Sequence, residues 1–229
     1  MTITPATLSR WAGIAAVAAG LIFIGVQINH PHLDATSVIT TEVVVRDSLK
    51  VLMAVLALVG ITGMYLRQVR EVGVLGLVGY LLFSANYLVI MCTTFVAAYI
   101  LPSIADSNPS YVNDVLTVAT GGHATGDIGL LQAVIVLESV LFLTSGLVFG
   151  VALYRARVLA RWAAALLAVG GVVTAALTVM PDAFYRLLAL PNGIALIGLG
   201  YSLWVTSRTE TTTPAAAISG PQLTTAAVE

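Results

Sequence analysis

The sequence predicts an all-α protein, a bundle of six transmembrane helices with both termini in the cytoplasm. Of its 229 residues, 59% are hydrophobic and only 9% are charged, and the mean hydropathy is +0.98. Soluble domains carry about 25% charged residues, so this composition excludes an ordinary soluble enzyme. Ten Lys and Arg against eleven Asp and Glu give a net charge of −1, and we therefore expect no nucleic-acid partner.

Six apolar segments reach or approach the length of about 20 residues that a membrane-crossing helix needs. They cover residues 11–28, 49–66, 72–100, 128–154, 159–180 and 184–206, and together they define a transmembrane domain over residues 1–206. The remaining segment, 207–229, consists largely of Thr, Ala, Ser and Pro. Because it offers little apolar surface to bury, we expect a disordered cytoplasmic tail.

The basic residues predict the orientation of these spans, because cytoplasmic loops carry an excess of Lys and Arg. Seven fall on the predicted inner side: Arg10, Arg67, Arg70, Arg155, Arg157, Arg161 and Arg208. Three fall on the outer side: Arg46, Lys50 and Arg186. The long loop 101–127 contains no Lys or Arg, which favours its export. We predict a multi-pass protein of the cell membrane.

Glu138 is the most informative residue, because it is a carboxylic acid inside an apolar span. It follows Asp127 by about 16 Å at 1.5 Å per helical residue, which predicts a position near the middle of the membrane. An acid at that depth is a functional hypothesis by default, and a neutral carboxyl group there could donate a proton. Asp127, Glu138 and Ser145 would share one helical face. The structural alternative is a neutral Glu138 that bonds Asn86 or a backbone carbonyl and only packs helices.

The segment that precedes the second span carries two spaced charge pairs. Glu42 and Arg46 stand at i,i+4, and Asp47 and Lys50 stand at i,i+3, so both can be ion pairs on a helix surface. The functional alternative is an acid–base cluster at the mouth of an outward cavity, with Glu42 and Asp47 as catalytic residues beside Glu138.

Polar and aromatic residues of other spans are candidate substrate contacts. Asn86 and Tyr87, in the third span, are predicted to orient Glu138, although plain interhelical hydrogen bonding would also explain them. Phe142, Tyr201 and Trp204 could stabilise a carbocation through their ring faces.

No metal or cofactor is expected. The single cysteine, Cys92, excludes a Cys-based metal cluster and an intramolecular disulfide. His30, His32 and Asp34, with His123 and Asp127, could in principle ligate a metal ion. That pattern is weak, and a solvated polar loop is the better interpretation.

The segment Tyr154-Arg155-Ala156-Arg157-Val158-Leu159-Ala160-Arg161-Trp162-Ala163, followed by a Gly-rich span, resembles uncharacterised six-span integral membrane proteins that are largely actinobacterial. They often carry a His upstream of the fourth helix, here His123. This resemblance implies a fold and a membrane location but no catalytic residues. A looser similarity exists to small membrane-bound terpene cyclases, which protonate a prenyl chain with an intramembrane acid. Their Trp-Glu motif is missing here, where the second helix reads Leu52-Met53-Ala54-Val55.

The expected function is that of an integral membrane enzyme acting on a membrane-soluble isoprenoid, of the terpene cyclase or isomerase type. Proton donation from Glu138 would start the reaction, and its partners would be a hydrophobic small molecule or lipid and the membrane. Two alternatives stay open: a proton-coupled small transporter, and a non-catalytic accessory or immunity protein. Homo-oligomer formation also stays open.

Overall fold

The computed structural model describes residues 4–28, 31–177 and 189–212, and the regular structure in these ranges is helical. In chain order the helices are α1 (Pro5–Gly25), α2 (Thr41–Arg67), α3 (Val69–Phe95), α4 (Leu101–Ile104), α5 (Pro109–Ala119), α6 (Leu130–Ala156), α7 (Arg161–Leu177) and α8 (Ala189–Thr212). A π-helical turn (Val96–Ile100) joins α3 to α4, so that residues 69–104 form one long helical segment.

Five helices in these ranges are long and apolar enough to cross a membrane: α1, α2, α3 with its extension, α6 and α8. The prediction of an all-α protein with several membrane-crossing helices is confirmed. The described part of α7 has 17 residues, fewer than a span of ordinary length. The count of six spans and the cytoplasmic location of both termini stay predictions.

Local capping explains where the helices depart from the predicted spans. Helix α1 begins at Pro5, well before residue 11, because the Thr4 hydroxyl accepts a hydrogen bond from the Thr7 N–H at 3.2 Å and proline suits a first helical position. Helix α6 begins only at Leu130, because the Asp127 carboxylate accepts the Gly129 N–H at 2.7 Å in a turn that precedes the helix. Asp127 therefore does not share a helical face with Glu138.

The C-terminal boundary also moves. Helix α8 continues to Thr212, past the predicted domain boundary at 206, and residues 213–229 of the predicted tail lie outside the described residues.

The long helices form a ring in the order α1, α2, α3, α6, α7 and α8, and each packs against the next. The ring closes between the first and last helices, which run antiparallel. A Cβ atom added to Gly13 of α1 would lie 2.7 Å from the carbonyl oxygen of Gly200 on α8, so the two backbones are in contact. The bundle core inside the ring contains residues from all six helices, among them Ala16, Ile61, Tyr87 and Leu199.

Three glycines near the start of α3 have three different roles. Gly73 has φ +57° and ψ −153°, which interrupts the helix in a conformation that only glycine adopts readily. Gly76 leaves room for the side chain of Val72. Gly79 brings α3 close to α6, since a Cβ there would lie 2.7 Å from the Cα of Phe149.

A second hydrophobic cluster covers the end of the bundle that the sequence assigns to the outside, and we call it the cap. It joins the loop after residue 30, helix α5 and the ends of the neighbouring long helices. Its buried residues are Ala35, Val38, Val43, Leu101, Ala105, Val112, Val115, Leu116, Val118, Ile128 and Ile135. The Asn113 side-chain oxygen accepts the Ala35 N–H at 2.8 Å and thereby fastens α5 to the loop.

The opposite end of the bundle, which we call the arginine end, carries aromatic and basic residues. Trp11 and Trp162 are exposed there, and the guanidinium of Arg161 lies 4.2 Å from the ring centroid of Tyr154. Exposed aromatic rings with arginines are typical of a membrane–water boundary. This arrangement favours a membrane–water boundary at the arginine end, and its cytoplasmic location stays a prediction.

Candidate functional site

Glu138 lies on α6 and receives a hydrogen bond from α3. The Thr93 hydroxyl donates to Oε2 of Glu138 at 2.7 Å, and both side chains are half-buried. Because α6 begins at Leu130, Glu138 lies about 12 Å from the start of a helix of 27 residues. Glu138 is therefore in the third of α6 nearer the cap, and its predicted position near the middle of the membrane stays a prediction.

The register between α3 and α6 explains why Thr93 is the partner. Gly79, Asn86 and Thr93 are spaced by seven residues and share one face of α3. Gly79 contacts Phe149 and Thr93 bonds Glu138, so this face runs along α6.

An ion pair on α2 lies beside this hydrogen bond. Lys50 Nζ lies 2.6 Å from Oδ1 of Asp47, which confirms the predicted i,i+3 pair. Asp47 is only 3% exposed, and Lys50 is close enough to Glu138 for the two charges to interact. We call Asp47, Lys50, Thr93 and Glu138 the polar layer.

The polar layer separates the two hydrophobic clusters of the molecule. One turn toward the cap, Val43, Val96 and Ile135 belong to the cap or pack against it. One turn toward the arginine end, Ile90 and Phe142 belong to the bundle core or pack against it. The four polar side chains therefore have apolar surroundings above and below, where uncompensated charge is costly.

The charges of the layer balance when it holds one proton. With both carboxyl groups ionised, Asp47, Lys50 and Glu138 sum to a charge of −1; with one carboxyl group protonated they sum to zero. An apolar environment favours the neutral arrangement.

Glu42 does not join the polar layer. Its carboxylate pairs with Arg46 at 2.8 Å, as the i,i+4 spacing predicted, and its side chain is 63% exposed. Arg46 also donates to the carbonyl oxygens of Val26 and Ile28 at 2.7 and 2.8 Å, which caps the end of α1. Glu42 lies about 140° around α2 from Asp47. The ion-pair interpretation of Glu42 is therefore confirmed, and its catalytic role stays a prediction.

Asn86 and Tyr87 are fully buried, but neither is a hydrogen-bond partner of Glu138 in the described part of the chain. Asn86 lies two turns from Thr93, about 10 Å toward the arginine end. Asn86 lies at about the same height in the bundle as Ser145 of α6. No hydrogen-bond partner is found in the described residues for the amide atoms of Asn86 or for the Ser145 hydroxyl. Tyr87 packs edge-to-face on Phe83, with ring centroids 5.2 Å apart.

Only one of the three predicted aromatic contacts lies near Glu138. Phe142 is one turn away and stacks on Phe23 of α1, with centroids 6.5 Å apart. Tyr201 and Trp204 contact each other at the arginine end, where Arg208 lies 4.4 Å from the Trp204 ring. Leu203, which lies between them in the sequence, contacts Gly63 of α2. Gly63 is about 20 Å along α2 from Lys50. Tyr201 and Trp204 are therefore not brought to the site.

Two carboxylates of the cap, those of Asp34 and Asp114, stabilise turns by accepting hydrogen bonds. The Asp34 carboxylate accepts hydrogen bonds from the hydroxyl and N–H of Thr36 and from the Ser37 N–H, which lowers the pKa of Asp34 to about 2. The Asp114 carboxylate accepts the N–H groups of Thr125 and Gly126 at 2.7 and 2.9 Å. The bond from the Thr125 N–H contributes most to holding the pKa of Asp114 below its ordinary value.

No group of three or more potential metal ligands forms among the described residues. His32, His123 and Asp127 are exposed, and Asp127 bonds Gly129. His30 lies outside the described residues, as does Arg186.

Two open grooves lie at the ends of helices. One, of about 370 Å³, lies between the end of α1 and the start of α2 and is lined by Glu42 and Arg46 among others. The second, of about 280 Å³, lies at the arginine end. Neither is lined by a residue of the polar layer.

Two residues of the polar layer were not predicted as site residues. Thr93 could have been found from its spacing of seven residues from Asn86 and fourteen from Gly79, which places all three on one helical face. Lys50 was predicted only as an ion-pair partner of Asp47. Its approach to Glu138 depends on how α2 and α6 flank α3, which no local pattern encodes.

Comparison of the chain with protein families, curated proteins and solved structures finds no match. Function is therefore inferred from the arrangement of the chain's own side chains.

Proposed function

We propose that this protein is an integral membrane enzyme that acts on a membrane-soluble isoprenoid by acid–base chemistry, as a cyclase or isomerase without a cofactor. The observation that carries the proposal is the polar layer between two apolar clusters, in which Lys50 pairs with the Asp47 carboxylate and its charge also acts on the Glu138 carboxyl group. Such a layer favours one retained proton.

In this proposal Glu138 holds the proton, because Asp47 already has its counter-ion at 2.6 Å. Thr93 donates to Oε2 and thereby fixes the orientation of the carboxyl group. Glu138 gives its proton to one carbon of a substrate double bond, and the electrons of that bond form the new C–H bond. The positive charge passes to the other carbon, while Lys50 stabilises the carboxylate that remains.

The reaction ends when a neighbouring substrate carbon loses a proton to the Glu138 carboxylate. Its C–H electrons form a new double bond, so the carboxyl group is restored. The product has the mass of the substrate and no electron acceptor is needed. The substrate would reach the layer from the lipid side, since residues next to Glu138 such as Leu137 and Val140 are about half exposed.

The test is mass spectrometry of lipids from cells that express the wild type or Glu138→Gln and receive linear prenylated precursors. We expect the wild type to form a species of unchanged mass and shifted retention, and Glu138→Gln to reduce it by about 10²-fold or more. Glu42→Gln is the matched control, because this acid lies outside the layer, and it should retain the product. Thr93→Ser should retain more product than Thr93→Val. Undiminished product from Glu138→Gln at matched protein levels would exclude Glu138 as the acid.

The alternative is a proton-coupled carrier. It is favoured by the same neutral cluster, because a proton that loads and leaves Glu138 would change the charge beside Lys50. In proteoliposomes with a pH gradient, the wild type but not Glu138→Gln would then carry protons, and lipid extracts would be identical. If Glu138→Gln lowers only thermal stability, with no product and no proton flux in the wild type, both proposals fail and the layer is structural.

A further inference from the structure

The groove at the arginine end lies between the start of α3 and the end of α6. Its volume is about 280 Å³, and its lining includes Arg70, Glu71, Gly73, Val74, Leu75 and Arg155. It lies far from the polar layer and has no part in the proposed reaction.

The groove carries three charged side chains. Arg70 and Arg155 are exposed, and neither makes a hydrogen bond or ion pair with any residue in the described ranges. Glu71 on the rim is exposed as well, so the groove has a net charge of +1. Two guanidinium groups with free donors suit a phosphate, whose oxygens accept paired N–H bonds.

The backbone break at Gly73 shapes this groove. With φ +57° and ψ −153°, Gly73 turns the chain between Arg70 and Val74, and a new helical segment begins there. The start of a helix favours an anion, which adds to the attraction of the two arginines.

Apolar residues continue from the groove along the outside of α3. Val74 is 78% exposed, and Leu75 and Val78 are 38% and 44% exposed. These side chains face away from the bundle core, where the acyl chain of a lipid would lie. The groove thus combines a phosphate-binding end with an apolar strip directly beside it.

We propose that this groove binds the headgroup of an anionic phospholipid, with the phosphate on Arg70 and Arg155 and an acyl chain along residues 74–78. Basic pockets between transmembrane helices are suited to anionic lipid headgroups. The site is independent of Glu138 and of the proposed reaction.

The test is native mass spectrometry of the full chain in detergent, titrated with phosphatidylglycerol or with phosphatidylcholine of the same acyl chains. We expect phosphatidylglycerol to bind more tightly, and Arg70→Gln and Arg155→Gln each to weaken its binding by about fivefold. Glu71→Gln should strengthen it. Arg157→Gln is the matched control, since it removes an exposed arginine at the same end but outside the groove, and its binding should stay within about twofold of the wild type.

Three outcomes would overturn the proposal. Equal binding of the two lipids by the wild type would show that charge is not recognised. An equal loss in Arg157→Gln would show a general surface attraction. Displacement of phosphatidylglycerol by inorganic phosphate at the same concentration would indicate a free phosphate site. If the glutamine variants do not fold, Arg70→Lys with Arg155→Lys keeps the charge but removes the paired donors, and it should still bind more weakly than the wild type.

Discussion

At the scale of single residues, the polar layer depends on the ion pair between Asp47 and Lys50. Asp47 is almost fully buried, whereas Glu42, the acid of the pair with Arg46, has a side chain that is 63% exposed. Two ion pairs on one helix therefore differ in what their removal costs. A buried charge without its partner is destabilising, while an exposed pair contributes little.

We predict that Asp47→Asn lowers the free energy of unfolding by about 1–3 kcal/mol, because the charge-assisted bond from Lys50 to a buried carboxylate is lost while Glu138 can still balance the Lys50 charge. Replacing both residues, as Asp47→Asn with Lys50→Met, should recover much of that loss. Glu42→Gln should cost less than about 1 kcal/mol. Thermal unfolding in one detergent measures all three variants, and an equal loss for Asp47→Asn and Glu42→Gln would contradict the burial of the layer.

At the scale of elements, the approach of α3 to α6 sets the geometry of the site. Gly79 allows this approach, since an added Cβ would meet the backbone of Phe149. The hydrogen bond from Thr93 to Glu138 lies on the same face of α3. Separation of the two helices at Gly79 would therefore weaken the whole interface.

Gly79→Leu is expected to destabilise the protein by about 1–3 kcal/mol, the usual cost of overpacking. Gly25→Leu is the control, because no described atom beyond the adjoining residues and backbone of its own helix lies within 4 Å of a Cβ at that position. Thermal unfolding midpoints should fall for the first variant and stay close to the wild type for the second. Equal midpoints for the two variants would mean that α3 and α6 are farther apart than described.

The cap should lose stability in acid. The pKa values of Asp34 and Asp114 are lowered by folding, so their contribution is present above the unfolded pKa near 3.8 and is lost as the pH falls through their lower folded pKa values. For Asp34 this window runs from about pH 4 to about pH 2. Asp114→Asn should lower the melting temperature at neutral pH and reduce its fall in acid.

Asp106→Asn is the control for this experiment, because the Asp106 carboxylate makes no hydrogen bond in the described ranges. Its melting curve should follow the wild type at every pH. If the melting temperature of the wild-type protein does not change between pH 5 and pH 2, the stabilising role of the Asp34 and Asp114 carboxylates is contradicted.

At the scale of the whole molecule, the distribution of charge predicts how the bundle sits in the membrane. The described arginines of the predicted inner side lie at one end, and the cap with Arg46 and Lys50 lies at the other. A reporter enzyme that needs an exported environment should be active when inserted after residue 107, next to the exposed start of α5. A fluorescent protein at the C-terminus should fold in the cytoplasm. The opposite pair of results would invert the predicted topology.

The sequence predicts the helices well because hydropathy and helix capping are local properties. Glu138 is recognisable for the same reason, since a carboxyl group in an apolar span is costly wherever the helix packs. Its partner is not local. Thr93, rather than Asn86, faces Glu138 because of the register between α3 and α6. Tyr201 is distant because the part of α8 that contains it lies at the arginine end. The cap consists of short segments distant in sequence, so no single span predicts it.

The contact between α1 and α8 has a consequence for biosynthesis. Of the described helices, α1 is synthesised first, and it packs closely against α8, which is synthesised last, with Gly13 and Gly20 against Gly200 and Gly193. Until α8 has been synthesised, the face of α1 that carries Gly13 and Gly20 lacks this neighbour and must be shielded by lipid or by the insertion machinery. A chain that stops before α8 would keep that face uncovered, and we expect membrane quality-control proteases to degrade it.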